Sequence, residues 1–316
     1  MSISHYIKEI GRGKEGARSL NQEQAHDLMS HVLDGRVTDL ELGAFAIAMR
    51  IKGESVPELA GFVQATAERC LRLTVPRPAV LLPSYNGARR LPNLTPLLAL
   101  MLSQQGVPVL VHGMPEDPTR VTSADVFHGL GLPAARDASD ILGAWNRQEP
   151  AYIQTDLLCP PLARLLNARW TIGLRNSGHT VAKLLDPFPE ARAVRVVNYT
   201  HPEYGQMLTE FLQHTGANAA LMRGTEGEPV ADARRQPRLD VFVKGQPRAD
   251  LAVSAQEGVL RELPVLPRAF DASTTALYIQ SVLSGEKPVP GPLAQQMDCL
   301  LRITRELADA PPVAAA

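Results

Sequence analysis

The stretch AVLLPSYNGARRLPNLTPLLALMLSQQG, Ala79–Gly106, decides the fold. Its first four residues form an unbroken apolar run of strand length, and LTPLLALMLSQQG reads as an apolar helix closed by glycine. Between them lies PSYNGARRLPN, Pro83–Asn93. A strand that passes through a glycine-containing loop into a helix is a recurrent seat for a phosphate, because main-chain N–H groups can approach the anion there. This loop holds one glycine, Gly87, and the adjacent Arg89 and Arg90 stand where small residues are usual.

The same alternation continues outward from this stretch. AVLLPSY, VPVLVHG, AYIQTDLLC, AVRVVNY, AALMRG and DVFVKG are short; most carry valine or isoleucine and end in glycine, proline or a polar turn. Such runs between helical stretches, HPEYGQMLTEFLQHTG among them, predict an α/β domain over 76–316 with a central, mostly parallel sheet. Residues 1–75 read differently. In NQEQAHDLMSHVLDG, Ala25, Leu28, Met29 and Val32 share one helical face, with Asn21 as N-cap and Gly35 as stop. Thr38 with Glu41, and Ser55 with Glu58, are capping-box patterns for two further helices. A small all-helical domain is therefore predicted over 1–75, and the helical segment at 160–175 is expected to pack with it.

Composition limits the function classes. Of 316 residues, 45% are apolar and 21% charged, as in an ordinary globular protein. No apolar run approaches the roughly 20 residues needed to span a bilayer, and MSISHYIKEIGRGKE has no secretory h-region. A cytoplasmic protein without membrane partners is expected. Cys70, Cys159 and Cys299 are scattered without metal-like spacing. No Ser-His-Asp or Cys-His arrangement is legible, so no catalytic residue and no metal ligand is assigned. The net charge of −1 gives no reason in itself to expect a polyanionic partner, and the local distribution has to carry that case.

Three motifs carry a resemblance. VPVLVHG with the later SADVFHGLG, ARWTIGLRNSGHTVAKLLDPF, and the HPEY helix followed by GANAALMRGTEG resemble glycosyltransferase family 3, of which anthranilate phosphoribosyltransferase is the best-known member. The likeness covers nearly the whole chain and implies a nucleoside phosphorylase/phosphoribosyltransferase-like fold. In that family the N-terminal helices form a head-to-head dimer, so a homodimer through residues 1–75 is expected. PSYNGARRLPNLTPLLA and VNYTHPEYGQ resemble the YbiB-type branch, which implies nucleic-acid binding on the same fold.

Departures from the enzymes fall on the phosphate and metal groups. PSYNG stands where the enzymes have a GTGGD-like loop, so Tyr85 and Asn86 add bulk beside Gly87. Asn93 and Thr95 match the family's Asn-x-Ser/Thr step. His112 and Gly113 match KHGN, whereas Val111 replaces its lysine. TEGEPVAD lacks the adjacent Asp-Glu pair that holds Mg²⁺ in the enzymes, although Glu226, Glu228 and Asp232 lie nearby. Cys159 stands near the place of a histidine, and Ala182-Lys183 near that of a glycine-proline. Arg169 matches the arginine that contacts the substrate carboxylate. Tyr85, Asn86, Gly87, Asn93, Thr95, His112 and Gly113 thus form a residual phosphate site.

Basic residues gather in three places: Lys8, Arg12, Lys14 and Arg18 in a glycine-broken segment; Arg89 and Arg90; and Arg164, Arg169, Arg175, Lys183, Arg192 and Arg195. Between Pro160 and Arg195 the local excess is +4. Solvated loops, caps and structural hydrogen bonds are the bland readings of these clusters. The sharper reading is a sequence-independent DNA- and RNA-binding protein on a degenerate anthranilate phosphoribosyltransferase-like fold. Lys8, Arg12, Lys14, Arg18, Arg89, Arg90, Arg169, Arg175, Lys183 and His201 would line its phosphate track. The alternative is an active phosphoribosyltransferase or phosphorylase with an unidentified substrate. No cofactor is expected on the first reading, and Mg²⁺ enters only with the second.

Overall fold

Capping chemistry sets the first helices of the computed structural model, which describes residues 2–13, 15–75, 77–188, 192–258 and 262–309. After α1 (Ser4–Ile10), α2 (Gln22–Leu33) opens on Asn21, whose Oδ1 accepts from the Gln24 nitrogen at 2.8 Å, while Gln24 Oε1 accepts from the Asn21 nitrogen at 3.0 Å. Thr38 and Glu41 repeat this exchange at α3 (Asp39–Lys52), and α4 (Val56–Ala67) starts at Ser55. Ala25, Leu28, Met29 and Val32 are all buried, so the expected apolar face of α2 is real. It packs on α4, where a Cβ on Gly61 would fall 2.4 Å from the Gln22 carbonyl oxygen. Only glycine permits that approach.

Glu58 is the polar centre of this bundle. Fully buried, it accepts from Ser55 N and Oγ at 2.8 Å each, from Leu20 N at 3.0 Å and from Lys52 Nζ at 2.6 Å. A capping box thereby also ties three segments together, with its carboxylate hydrogen-bonded as a buried charge must be.

The chain then runs through β1 (Ala79–Ser84), α5 (Thr95–Gln104), β2 (Val109–Gly113), α6 (Ser123–Gly129), α7 (Ala138–Asn146) and β3 (Ala151–Gln154). Three helices follow: α8 (Thr155–Leu158), α9 (Pro160–Ile172) and α10 (Gly178–Leu184). The rest is β4 (Ala193–Tyr199), α11 (Glu203–His214), β5 (Ala219–Arg223), β6 (Leu239–Val243), β7 (Gln246–Pro247), α12 (Ala272–Leu283) and α13 (Gly291–Asp309). Two compact units result: Met1–Leu71 with Thr155–Pro187, and Arg72–Gln154 with Phe188–Ala316. The helical unit thus takes in 155–187, a longer return segment than the 160–175 read from the sequence, and it ends at 71, where the sequence reading set 75. Within it, α9 is tied to the end of α2, with Arg164 Nη2 donating to the Leu33 carbonyl at 2.9 Å.

In the second unit the described strands form one seven-stranded sheet in the order β3-β2-β1-β4-β5-β6-β7. Strands β3, β2, β1, β4 and β5 pair in parallel, and β6 and β7 add antiparallel. Val80, Leu82, Val109, Val111, Val194 and Val196 pack with Leu97, Leu98 and Met101 of α5 and Leu300 and Ile303 of α13 in one apolar core. Each such side chain contributes about 1.5–3 kcal/mol by leaving water. From β1 the order runs one way to β2 and β3, and the other way to β4 and β5. That reversal opens a crevice beyond the carboxyl ends of β1 and β4, where α/β sheets seat ligands.

Two elements differ from the sequence reading. AYIQTDLLC stops being a strand at Gln154 and turns into α8, with Asp156 in its first turn favoured by the helix dipole. The two-residue β7 was not legible, and its Pro247 suits only a sheet edge. Among the described residues no helix is long and apolar enough to cross a membrane.

Candidate functional site

Every residue from Ser84 to Ala88 is buried at the end of β1. Tyr85 is only 5% exposed, and its hydroxyl lies 2.8 Å from Nδ1 of His112 on β2. Burial pushes the His112 imidazole down to about 3, so the ring is neutral. Its Nε2 has no hydrogen-bond partner among the described residues. Asn93 donates through Nδ2 to Ser123 Oγ at 3.2 Å and accepts from the Thr95 nitrogen at 3.2 Å, which fixes the start of α5. Tyr85, Asn86, Gly87, Asn93, Thr95, His112 and Gly113 therefore do come together within one unit.

The anion in this cradle belongs to the chain itself. Glu228, 1% exposed, accepts through Oε1 from the main-chain nitrogens of Asn86 and Gly87 at 2.8 and 2.7 Å. Its Oε2 accepts from the Ser84 hydroxyl, and from Thr95 Oγ1 at 3.4 Å. Glu226 Oε2 accepts from the nitrogens of Arg89, Arg90 and Leu91 at 2.9, 3.1 and 3.3 Å. Convergent N–H groups of this kind make an anion-binding nest, and here two carboxylates fill it.

The segment that delivers them is TEGE, Thr225–Glu228, shortly after β5. Glu226 sits at φ 52°, a left-handed conformation that costs a non-glycine residue about 1–2 kcal/mol. Gly227 has φ +87°, and a Cβ there would fall 1.6 Å from Asn86 Nδ2. Asn86 Nδ2 also donates to the Glu226 carbonyl at 3.0 Å. Asn86, bulky for a phosphate loop, is what the TEGE turn packs on. Sequence reasoning noted these glutamates only as failing a metal motif. The available signal was a glycine held between two glutamates close behind a strand.

The basic residues divide between the units. Arg89 and Arg90 lend their main chain to Glu226 while their side chains are exposed, and neither guanidinium has a partner among the described residues. His201 is exposed, its ring 6.5 Å from that of Tyr204. In the helical unit, Lys8, Arg12 and Arg18 are exposed, and Arg12 pairs with Glu9 at 2.9 Å. Lys14 lies outside the described residues. Arg169, Arg175 and Lys183 are half-buried about His179, which burial, then Arg175, Arg169 and Lys183, push down to about 3. Arg234 and Arg238 are neutralised by Asp232 and Asp240 at 2.9 and 2.7 Å.

The glycosyl transferase family helical bundle domain matches residues 4–70. The uncharacterized YbiB protein of Escherichia coli K12 is 41% identical over 98% of this chain and 96% of its own length. The chain belongs to the YbiB family. Anthranilate phosphoribosyltransferase of Thermobifida fusca is 24% identical over 92% of this YbiB-family chain and 81% of its own. The crystal structure of anthranilate phosphoribosyltransferase from Thermus thermophilus has a TM-score of 0.69 at 22% identity, over 98% of this chain and 90% of that one. The Saccharomyces cerevisiae enzyme, in complex with PRPP and Mg, also reaches 0.69 at 14% identity, over 96% and 88%. These two likenesses establish the fold alone.

The residues do not fit the magnesium ion of that enzyme fold. The adjacent Asp-Glu pair is absent, and the oxygens of Glu226 and Glu228 that come nearest are engaged by N–H and hydroxyl donors. Among the described residues no group of three or more His, Cys, Asp or Glu is placed to hold a metal.

Proposed function

We propose that this YbiB-family chain is a non-catalytic protein that binds the phosphate backbone of DNA and RNA without regard to sequence. One observation carries the reading. Glu226 and Glu228 occupy the main-chain donors of the old phosphate loop, while Arg89 and Arg90 on the same loop present to solvent guanidinia that have no partner among the described residues. The loop has given up an internal phosphate and acquired outward positive charge. Arginine forks on a loop suit phosphate oxygens, and contacts of this kind carry no base information. The cluster of Arg169, Arg175 and Lys183 supports the same chemistry in the helical unit.

A homodimer belongs to this reading. Leu40, Ile47 and Ile51 of α3 are 84%, 37% and 60% exposed and fall on one face with Ala44. An apolar stripe of that size on a helix calls for a partner surface, and a second copy of the chain would double the basic surface and raise avidity. A cytoplasmic location, with its nucleic acid, accompanies the proposal.

Titration of labelled single- and double-stranded oligonucleotides at two salt concentrations tests it. The expected outcome is submicromolar affinity at low salt, a steep loss with added salt, and a smaller salt slope for the Arg89→Ala/Arg90→Ala variant. Affinity no tighter than micromolar, or no salt slope, overturns the proposal. Saturable binding and turnover of phosphoribosyl pyrophosphate with Mg²⁺ would replace it with the transferase reading.

A further inference from the structure

The chain has two tryptophans, and they sit in opposite environments. Trp145 is 6% exposed and donates its Nε1–H to the Val109 carbonyl at 2.9 Å, a settled core residue. Trp170, in the last turn of α9, is 54% exposed. Large aromatics leave water when fold packing offers them a place. Here the Arg169 guanidinium carbon lies instead 4.0 Å from the centre of the Trp170 ring. That contact puts positive charge on one face of the ring. Just past the helix end at Gly173, Leu174 adds exposed apolar surface, 46% accessible. Arg175 and Lys183 follow within the same unit, both close enough to His179 to act on it along with Arg169.

A flat ring next to cations matches one ligand feature in particular, an unstacked nucleobase attached to a phosphodiester. Duplex DNA keeps its bases stacked and offers no such face, while a single strand does. We infer that Trp170, braced by Arg169, is a stacking platform for one base of single-stranded nucleic acid, with Arg175 and Lys183 of the same unit serving the adjoining phosphates. The inference rests on the nucleic-acid reading above and narrows it, because duplex and single strand then bind by different contacts.

Three probes of equal length separate the two ideas: oligothymidylate, an abasic strand with the same backbone, and a duplex. Oligothymidylate is expected to quench tryptophan emission, since Trp145 is shielded in the core. Trp170→Ala is expected to lose roughly tenfold in oligothymidylate affinity, the scale of one base stack. The same variant should bind duplex and abasic strand within about twofold of wild type, and Trp170→Phe should keep most of the lost affinity. An unaltered thermal midpoint and sedimentation mass for Trp170→Ala confirm that fold and assembly are intact. Equal affinity of wild type and Trp170→Ala for oligothymidylate overturns the platform and leaves backbone binding standing. Equal losses on all three probes, or a change in oligomeric mass, also overturn it, by assigning Trp170 to general packing or self-association. Failure of wild type to bind any probe removes the nucleic-acid reading and the platform with it.

Discussion

Glu228 Oε1 lies 2.7 Å from the main-chain nitrogen of Gly87, so a side chain from beyond β5 closes the loop that follows β1. The two carboxylates of TEGE and the PSYNG loop have become one closed hydrogen-bonded structure. Neither half is intelligible alone.

Removing Glu228 takes an acceptor from the buried nitrogens of Asn86 and Gly87, at about 1–3 kcal/mol for each donor left unsatisfied. Glu228→Ala is therefore expected to lose about 3 kcal/mol of stability, seen as a lower urea midpoint. Inorganic phosphate or sulfate should then raise the thermal midpoint of the variant well beyond its effect on wild type, by filling the emptied nest. Equal shifts in both proteins would show that the cradle is not where the anion goes.

Acid should weaken the fold through two histidines. His112 and His179 are pushed from about 6.5 down to about 3, so between those values the unfolded chain binds protons that the native one refuses. Stability is complete above the unfolded value and is lost as pH falls from about 6.5 toward 3. For His112 the cause is burial, with the Tyr85 hydroxyl as its hydrogen-bonding neighbour. For His179 it is burial joined by Arg175, Arg169 and Lys183. Denaturant midpoints across this range should fall more shallowly in His112→Asn than in wild type. An unchanged pH slope would mean the ring titrates normally.

Glu58→Ala strands the Lys52 ammonium, whose side chain is 9% exposed, and frees the Leu20 and Ser55 nitrogens. Breaking one side of such a buried pair costs about 3–5 kcal/mol. The variant is expected to lose helical signal cooperatively at lower denaturant. A cost below about 1 kcal/mol would mean that water replaces the carboxylate.

Leu40→Glu/Ile51→Glu places two charges on the exposed stripe of α3. Light scattering on a sizing column should show half the wild-type mass with unchanged circular dichroism. A wild-type protein that is already monomeric would remove the dimer from the proposal.

Much of the architecture was legible because it rests on local signals. The α2 face, its Asn21 cap and the six principal strands all follow from period and capping chemistry that neighbouring residues determine. The site was legible only in part. Tyr85, Asn86, Asn93 and His112 could be gathered by resemblance, but Glu228, which fills the Asn86 and Gly87 donors, lies some 140 positions further along the chain. A hydrogen bond of that sequence separation leaves no periodicity to detect. Trp170 escaped for a different reason: an aromatic residue in a helical pattern is ordinarily core, and only its exposure in the fold shows otherwise.

The carboxylates in the loop are tethered, and that changes what any free phosphate compound must overcome. An anion fixed in its own chain acts at an effective concentration in the millimolar range or above, and it never diffuses away. A soluble metabolite at ordinary cellular levels has to displace it at every encounter. The loop thus carries a built-in competitor for any free anion, written into the same chain a few residues past a strand.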